Sequence, residues 1–169
     1  MQITLDTYTM HLEEMPLDIG YASEQVVVND ISGKEYSIGG HNGKTQLIIS
    51  TPLIDDDFIE ELKSVENILE TDSDMTASVI VANDIHSSPK FEKLNFYIDK
   101  NAEFADMYGV RLIGEPYNHE LTKAIILISK DGAIFYDDIP LNLKDKFNIE
   151  LLYRKIAAAQ TCYTGKGCH

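Results

Sequence analysis

Two short runs, TQLIIS from Thr45 and TASVIVAND from Thr76, are apolar at consecutive positions and rich in β-branched residues. A strand with one wet face alternates between apolar and polar residues. A strand apolar on both faces is covered on both. Between the runs, Phe58, Ile59, Leu62, Val65, Ile68 and Leu69 recur at three- and four-residue spacing, which predicts a helix from about Asp55 to Glu70. Strand, helix and strand in this order pair in parallel through a right-handed crossover. The core is therefore α/β, with a mixed sheet between helical layers.

The rest of the chain extends that unit. QITLDTYTMHL has period-two character, and EQVVVND and KEYSIGG flank the turn Ile31-Ser32-Gly33 as a hairpin. Together these segments predict an N-terminal β layer. After the second buried strand, SSPKFEK predicts a short helix or turn and LNFYID a strand. NAEFADMYG predicts a short helix capped by Asn101 and closed by Gly109. KAIILIS and AIFYDDI, joined at Asp131-Gly132, form a hairpin, and NIELLYRKIAAAQ is an amphipathic final helix opened by Asn148. A βαβ half followed by a ββα half is the thioredoxin-type arrangement.

Length and charge bound what such a chain does. At 169 residues it suits one domain, which buries roughly two thirds of the surface its unfolded chain exposes. Residues 1–160 are expected to form that domain and 161–169 a tail. Acids outnumber Lys plus Arg by 28 to 14, a formal charge of −14, and no window gathers the basic residues that would track phosphates. Nucleic acid and anionic membrane are poor partners for this surface. No apolar run approaches the roughly 20 residues that cross a bilayer. The N-terminal MQITLDTYTMHLEE lacks the basic and apolar regions of a secretory signal. A soluble, cytoplasmic protein is expected.

Two motifs invite chemistry. GGHNGKT, from Gly39 to Thr45, ends like a phosphate-binding loop, but the glycine that pattern needs falls on Ile38, and a buried strand follows where a helix should. It predicts a turn between strands, without a bound nucleotide. Of His11, His41, His86, His119 and His169, no two stand at helical ligand spacing, which predicts mostly ordinary surface residues. The tail CYTGKGCH holds both cysteines, Cys162 and Cys168, with His169 beside them. Three readings stay open for it: a disulfide loop or redox pair, a soft-metal site completed from elsewhere, and an end without a chemical task. No resident cofactor is expected.

The order of elements and three local strings resemble the thiol peroxidase branch of the peroxiredoxins, from about Met15 to Ala159. NGKTQLIISTPLID is similar to that family's Gly-Lys, buried strand and Pro-Ser-x-Asp opening. NAEFADMYGV is similar to its next helix and strand, and KAIILISKDGAIFYDDI to its late hairpin. The resemblance implies a thioredoxin-like, peroxiredoxin-type fold in three layers, a central mixed β-sheet with flanking helices and an N-terminal β extension. It also implies a homodimer paired near the active-site helix, and possible exchange with a thioredoxin-type reductant.

The resemblance places the family's functional positions on this chain. The family's proline falls on Pro52. Its threonine, four positions on, falls on Asp56, and its peroxide-attacking cysteine, seven positions on, falls on Ile59. The resolving cysteine falls on Glu92 and the arginine of the late strand on Lys123. A peroxidatic thiol works as a thiolate, held by a helix N-terminus and an arginine, and Ile59 has no nucleophilic atom. Five acids crowd the start of this helix, Asp55, Asp56, Asp57, Glu60 and Glu61. The three aspartates are expected to cap the unpaired N–H groups left there. An acidic pocket for a cation or amine is the functional alternative, without the spacing of an EF-hand. The implied reading is a family member that has lost peroxide chemistry at the usual site. Redox work by Cys162 and Cys168, or metal binding by these and His169, are the alternatives.

Overall fold

The computed structural model describes residues 1–70, 74–86 and 88–161. Its central sheet has seven strands. They are β3 (Val26–Asn29), β4 (Glu35–Ile38), β5 (Thr45–Ser50), β6 (Met75–Val81), β7 (Asn95–Ile98), β9 (Ala124–Ile128) and β10 (Ile134–Asp138), in the order β10-β9-β5-β6-β7-β3-β4. The two apolar runs lie at its centre. β5 pairs in parallel with β6 and antiparallel with β9, and all six of its residues are buried.

Alternation along β5 divides the core. Leu47 and Ile49 join the cluster built by α1 (Asp56–Asn67) and α3 (Ile149–Thr161), with Leu62, Val65, Leu152 and Ile156. Ile48 points into a second cluster with Phe104 and Tyr108 of α2 (Glu103–Tyr108). Two helices on one face and one on the other make three layers, as the consecutive apolar runs require.

The expected N-terminal β layer divides in two. β1 (Gln2–Leu5) and β2 (Tyr8–Leu12) form a hairpin that pairs with β8 (Leu112–Ile113) in a separate three-stranded sheet, with Ile3, Met10, Leu12 and Leu112 as its own small core. The β3–β4 hairpin instead joins the edge of the main sheet, through Asn29 and Ile98. Period two identifies strands but does not name their partners.

Three local expectations change. The described part of SSPKFEK, residues 88–93, forms neither helix nor regular turn: Lys93 donates from its backbone N–H to Glu66 and from Nζ to the Leu69 carbonyl, binding the segment to the end of α1. α1 ends at Asn67, short of Glu70. Asn101 does not cap α2. The cap residue is Ala102, in the left-handed region, and Asp99 reaches from the end of β7 to accept from the N–H groups of Phe104 and Ala105, both at 2.9 Å.

Other signals hold. Gly109 closes α2 at φ 70°, and Asn148 Oδ1 accepts from Leu151 N–H at the start of α3. GGHNGKT is a turn that runs into β5. Its Gly39 is required, because a Cβ there would collide with the Tyr108 hydroxyl, which donates to the Glu24 carbonyl at 2.6 Å. Thr161, the first residue of the expected tail, is the last of α3. Residues 162–169, and with them Cys162, Cys168 and His169, lie outside the described residues. Among those described, no helix is long and apolar enough to cross a membrane.

Candidate active-site cavity

β5 and β9 run antiparallel, with Ser50 opposite Ala124. That register brings the end of one strand beside the start of the other. Ser50 Oγ donates to the Thr122 carbonyl at 2.7 Å, and Thr51 and Pro52, just after β5, and Lys123, just before β9, then stand at one end of these strands. The chain turns there through Thr51, whose hydroxyl donates to the Leu53 carbonyl at 2.8 Å, and enters α1. A cavity of about 550 Å³ opens at this place, lined among others by Thr51, Pro52, Phe58, Tyr117 and Leu143.

The N-terminus of α1 forms one wall. Asp55 is the N-cap, its Oδ1 accepting from Phe58 N–H at 2.8 Å, and Asp56 and Asp57 occupy the first turn. The crowd of acids is nonetheless not one group. Glu60 faces outward and pairs with Lys63 at 2.9 Å, whereas Glu61 is buried. Asp55 and Asp57 line the cavity. Among the described residues, no group of three or more His, Cys, Asp or Glu is placed to hold a metal ion.

Glu61 and Lys123 form the floor. Lys123 Nζ donates to Glu61 Oε1 at 2.6 Å and to the Asp145 carbonyl at 2.7 Å. Phe147 N–H donates to Glu61 Oε2 at 2.5 Å. The two side chains are only 7% and 6% exposed. The rings of Phe147 and Phe58 stand 4.9 and 5.8 Å from Nζ, within reach of a cation–π attraction. These contacts fasten the segment 145–147 to α1. Removing either charge leaves its partner buried and unpaired, a change that costs about 3–5 kcal/mol. Across the cavity, burial raises the Tyr117 hydroxyl above its ordinary value, and the negative charges of Asp55, Asp6 and Glu120 add to that.

The five carried positions therefore separate. Pro52 and Lys123 meet at the cavity. Asp56 and Ile59 sit on the first turn of α1 but are not among its lining residues, where Phe58 stands instead. Glu92 is exposed, beside the Lys93 that is bound to Glu66 and Leu69 at the opposite end of a 12-residue helix, about 18 Å long.

Sequence reasoning named Glu61 only among the acids of α1 and Phe58 only on its apolar stripe, and missed the pairing of Glu61 with Lys123, Tyr117 and the 143–147 segment. For Glu61 a signal existed: Phe58, Glu61, Leu62 and Val65 occupy one buried stripe of α1, and a carboxylate on such a stripe calls for a partner. His86 also departs from the expected surface role. Its Nε2 lies 3.2 Å from Glu120 Oε2, the His86 side chain is 8% exposed, and Asn83 donates to the other Glu120 oxygen at 3.1 Å. His11, His41 and His119 are exposed.

This architecture is shared with solved structures. A peroxiredoxin-like protein from Aquifex aeolicus is 19% identical, with 94% of this chain and 96% of that one covered and a TM-score of 0.82. The thiol peroxidase from Chromobacterium violaceum is 15% identical, with 92% and 95% covered and a TM-score of 0.78. AhpC of Mycobacterium tuberculosis is 13% identical, with 89% and 98% covered and a TM-score of 0.67. The fold is thioredoxin-like, of the peroxiredoxin type. No protein-family model and no curated protein matches the sequence.

Proposed function

We propose that the chain has a peroxiredoxin-type scaffold whose usual site no longer reduces peroxide, and that the cavity at the start of α1 serves binding or assembly instead. The observation that carries this reading is the occupant of the floor. Lys123, at the family's arginine position, is engaged by Glu61 and the Asp145 carbonyl, and among the described residues none that lines the cavity carries sulfur. A peroxidatic site needs a thiolate and donors aimed at the separating oxygens. Here the cation is neutralised by an adjacent carboxylate, and Phe58 and Ile59 supply only hydrocarbon at the first turn.

The test is peroxide consumption with a thioredoxin-type reductant, using hydrogen peroxide and an alkyl peroxide. The expected rate equals that of buffer. Turnover that disappears in Cys162→Ser would overturn the reading and move the chemistry to the tail pair Cys162 and Cys168. Metal bound by these cysteines and His169 is the further alternative, decided by elemental analysis of protein purified without chelator. A cytoplasmic homodimer paired near α1 belongs to the same proposal.

A further inference from the structure

Lys123 is a buried primary amine that borders a cavity large enough for a small molecule. Two of its three ammonium hydrogens are engaged, by Glu61 and by the Asp145 carbonyl. Phe58 and Phe147 make the surroundings apolar. Phe147 N–H holds the second Glu61 oxygen, which keeps the carboxylate turned towards the amine. Amine, proton acceptor and cavity are thus in one place.

We propose that Lys123 captures small uncharged aldehydes as an imine, with Glu61 accepting and returning the proton. The inference rests on the reading of this cavity as a binding site.

An ammonium has no lone pair and is not a nucleophile. A ligand with a hydrocarbon tail displaces water and lowers the local polarity, which penalises a separated charge pair relative to a neutral amine and acid. The proton then crosses the 2.6 Å from Nζ to Glu61. The amine attacks the carbonyl carbon, a C–N bond forms, and a proton passes from nitrogen to the carbonyl oxygen to give the carbinolamine. Its hydroxyl leaves as water with the proton held by Glu61, and the protonated imine remains. Lysine ammonium plus aldehyde becomes protonated imine plus water, with no electrons exchanged.

The lining selects the ligand. Lys123 is balanced by Glu61 and Lys144 by Asp6. Of the other charges in the lining, Asp55 and Asp57 outnumber Lys146, which disfavours an anionic carbonyl compound. Leu5, Pro52, Phe58 and Leu143 offer apolar surface to an alkyl chain.

The experiment treats the full chain with an equimolar amount of pentanal and cyanoborohydride, which reduces an imine to a stable secondary amine, and locates the product by peptide mass mapping. Lys123 is expected to carry about tenfold more label than any other lysine, and Glu61→Gln to lower that labelling about tenfold while leaving the others unchanged. Lys123→Arg keeps the cation and must lose the adduct. Label spread over exposed lysines with Lys123 spared overturns the proposal, as does Lys123 labelling indifferent to Glu61→Gln. Peroxide consumption by the same sample separates the two readings. Turnover with Lys123 labelled refutes only the loss of peroxidase activity, and silence towards peroxide with Lys123 unlabelled refutes only the capture.

Discussion

Glu61 and Asp99 are both buried carboxylates that fasten a helix, on opposite faces of the central sheet, and they do so by different means. Glu61 lies within α1 and reaches across to an ammonium and a backbone N–H. Asp99 directly follows β7 and reaches forward to two N–H groups of α2, without a cation in hydrogen-bond contact. Burial raises the Asp99 carboxyl above its ordinary value, against the lowering effect of those N–H groups. One carboxylate is thus half of a charge pair beside a cavity, and the other is a cap for a six-residue helix. Only the first has a chemical partner.

Breaking the pair should have the largest effect. Glu61→Ala strands the Lys123 ammonium between two rings, and the expected loss is about 3–5 kcal/mol, read from the denaturant midpoint. The double variant Glu61→Leu, Lys123→Met should recover part of that, because no buried charge is left unpaired, although the Phe147 N–H and the Asp145 carbonyl lose their partners. A double variant as unstable as the single one would show that packing around 145–147, and not charge, holds this region.

Asp99 should respond less to truncation and more to pH. Asp99→Ala removes acceptors for two helix N–H groups, at about 1–2 kcal/mol. Because its folded-state value lies above the ordinary 3.8, the folded chain binds the proton more tightly than the unfolded chain. Stability should therefore fall as pH rises from 3.8 to the raised value, and level off above it. Asp99→Asn should abolish that contribution to the slope in chemical denaturation across the acid range. A slope that survives in Asp99→Asn would assign it to other carboxylates.

The same contrast explains what was legible in the sequence. Consecutive apolar runs such as TQLIIS predict a doubly covered sheet because burial leaves its mark on each residue. Asn148 as a cap follows from local spacing, since cap and helix are neighbours in the chain. Partners distant in sequence leave no such mark. Glu61 and Lys123 are 62 positions apart, His86 and Glu120 are 34 apart, and β8 is too short to announce its pairing with β2. Asn101 was the better local candidate for the α2 cap by residue type, yet the chain places Asp99 over the helix by taking Ala102 through the left-handed region. The acids of α1 misled for a related reason. Composition groups all five together, whereas helical geometry turns Glu61 inward and leaves Glu60 outside.

The smallest expected effects lie at the open end of α1, where Asp55 does for that helix what Asp99 does for α2 but in contact with solvent. Asp55→Ala removes a 2.8 Å bond to Phe58 N–H and should cost about 1 kcal/mol. Asp56→Ala removes only a charge near the helix terminus, about 0.3–1 kcal/mol, and that loss should shrink as salt is added, because an exposed charge is screened within about 10 Å at 0.1 M ionic strength. The labelling of Lys123 decides between a cap and a site. If Asp55 and Asp56 serve only the helix, both variants lose stability and neither affects Lys123. If Asp55→Ala also changes the labelling of Lys123, then the wall and the floor of the cavity are coupled, and the acids at its rim do more than close a helix.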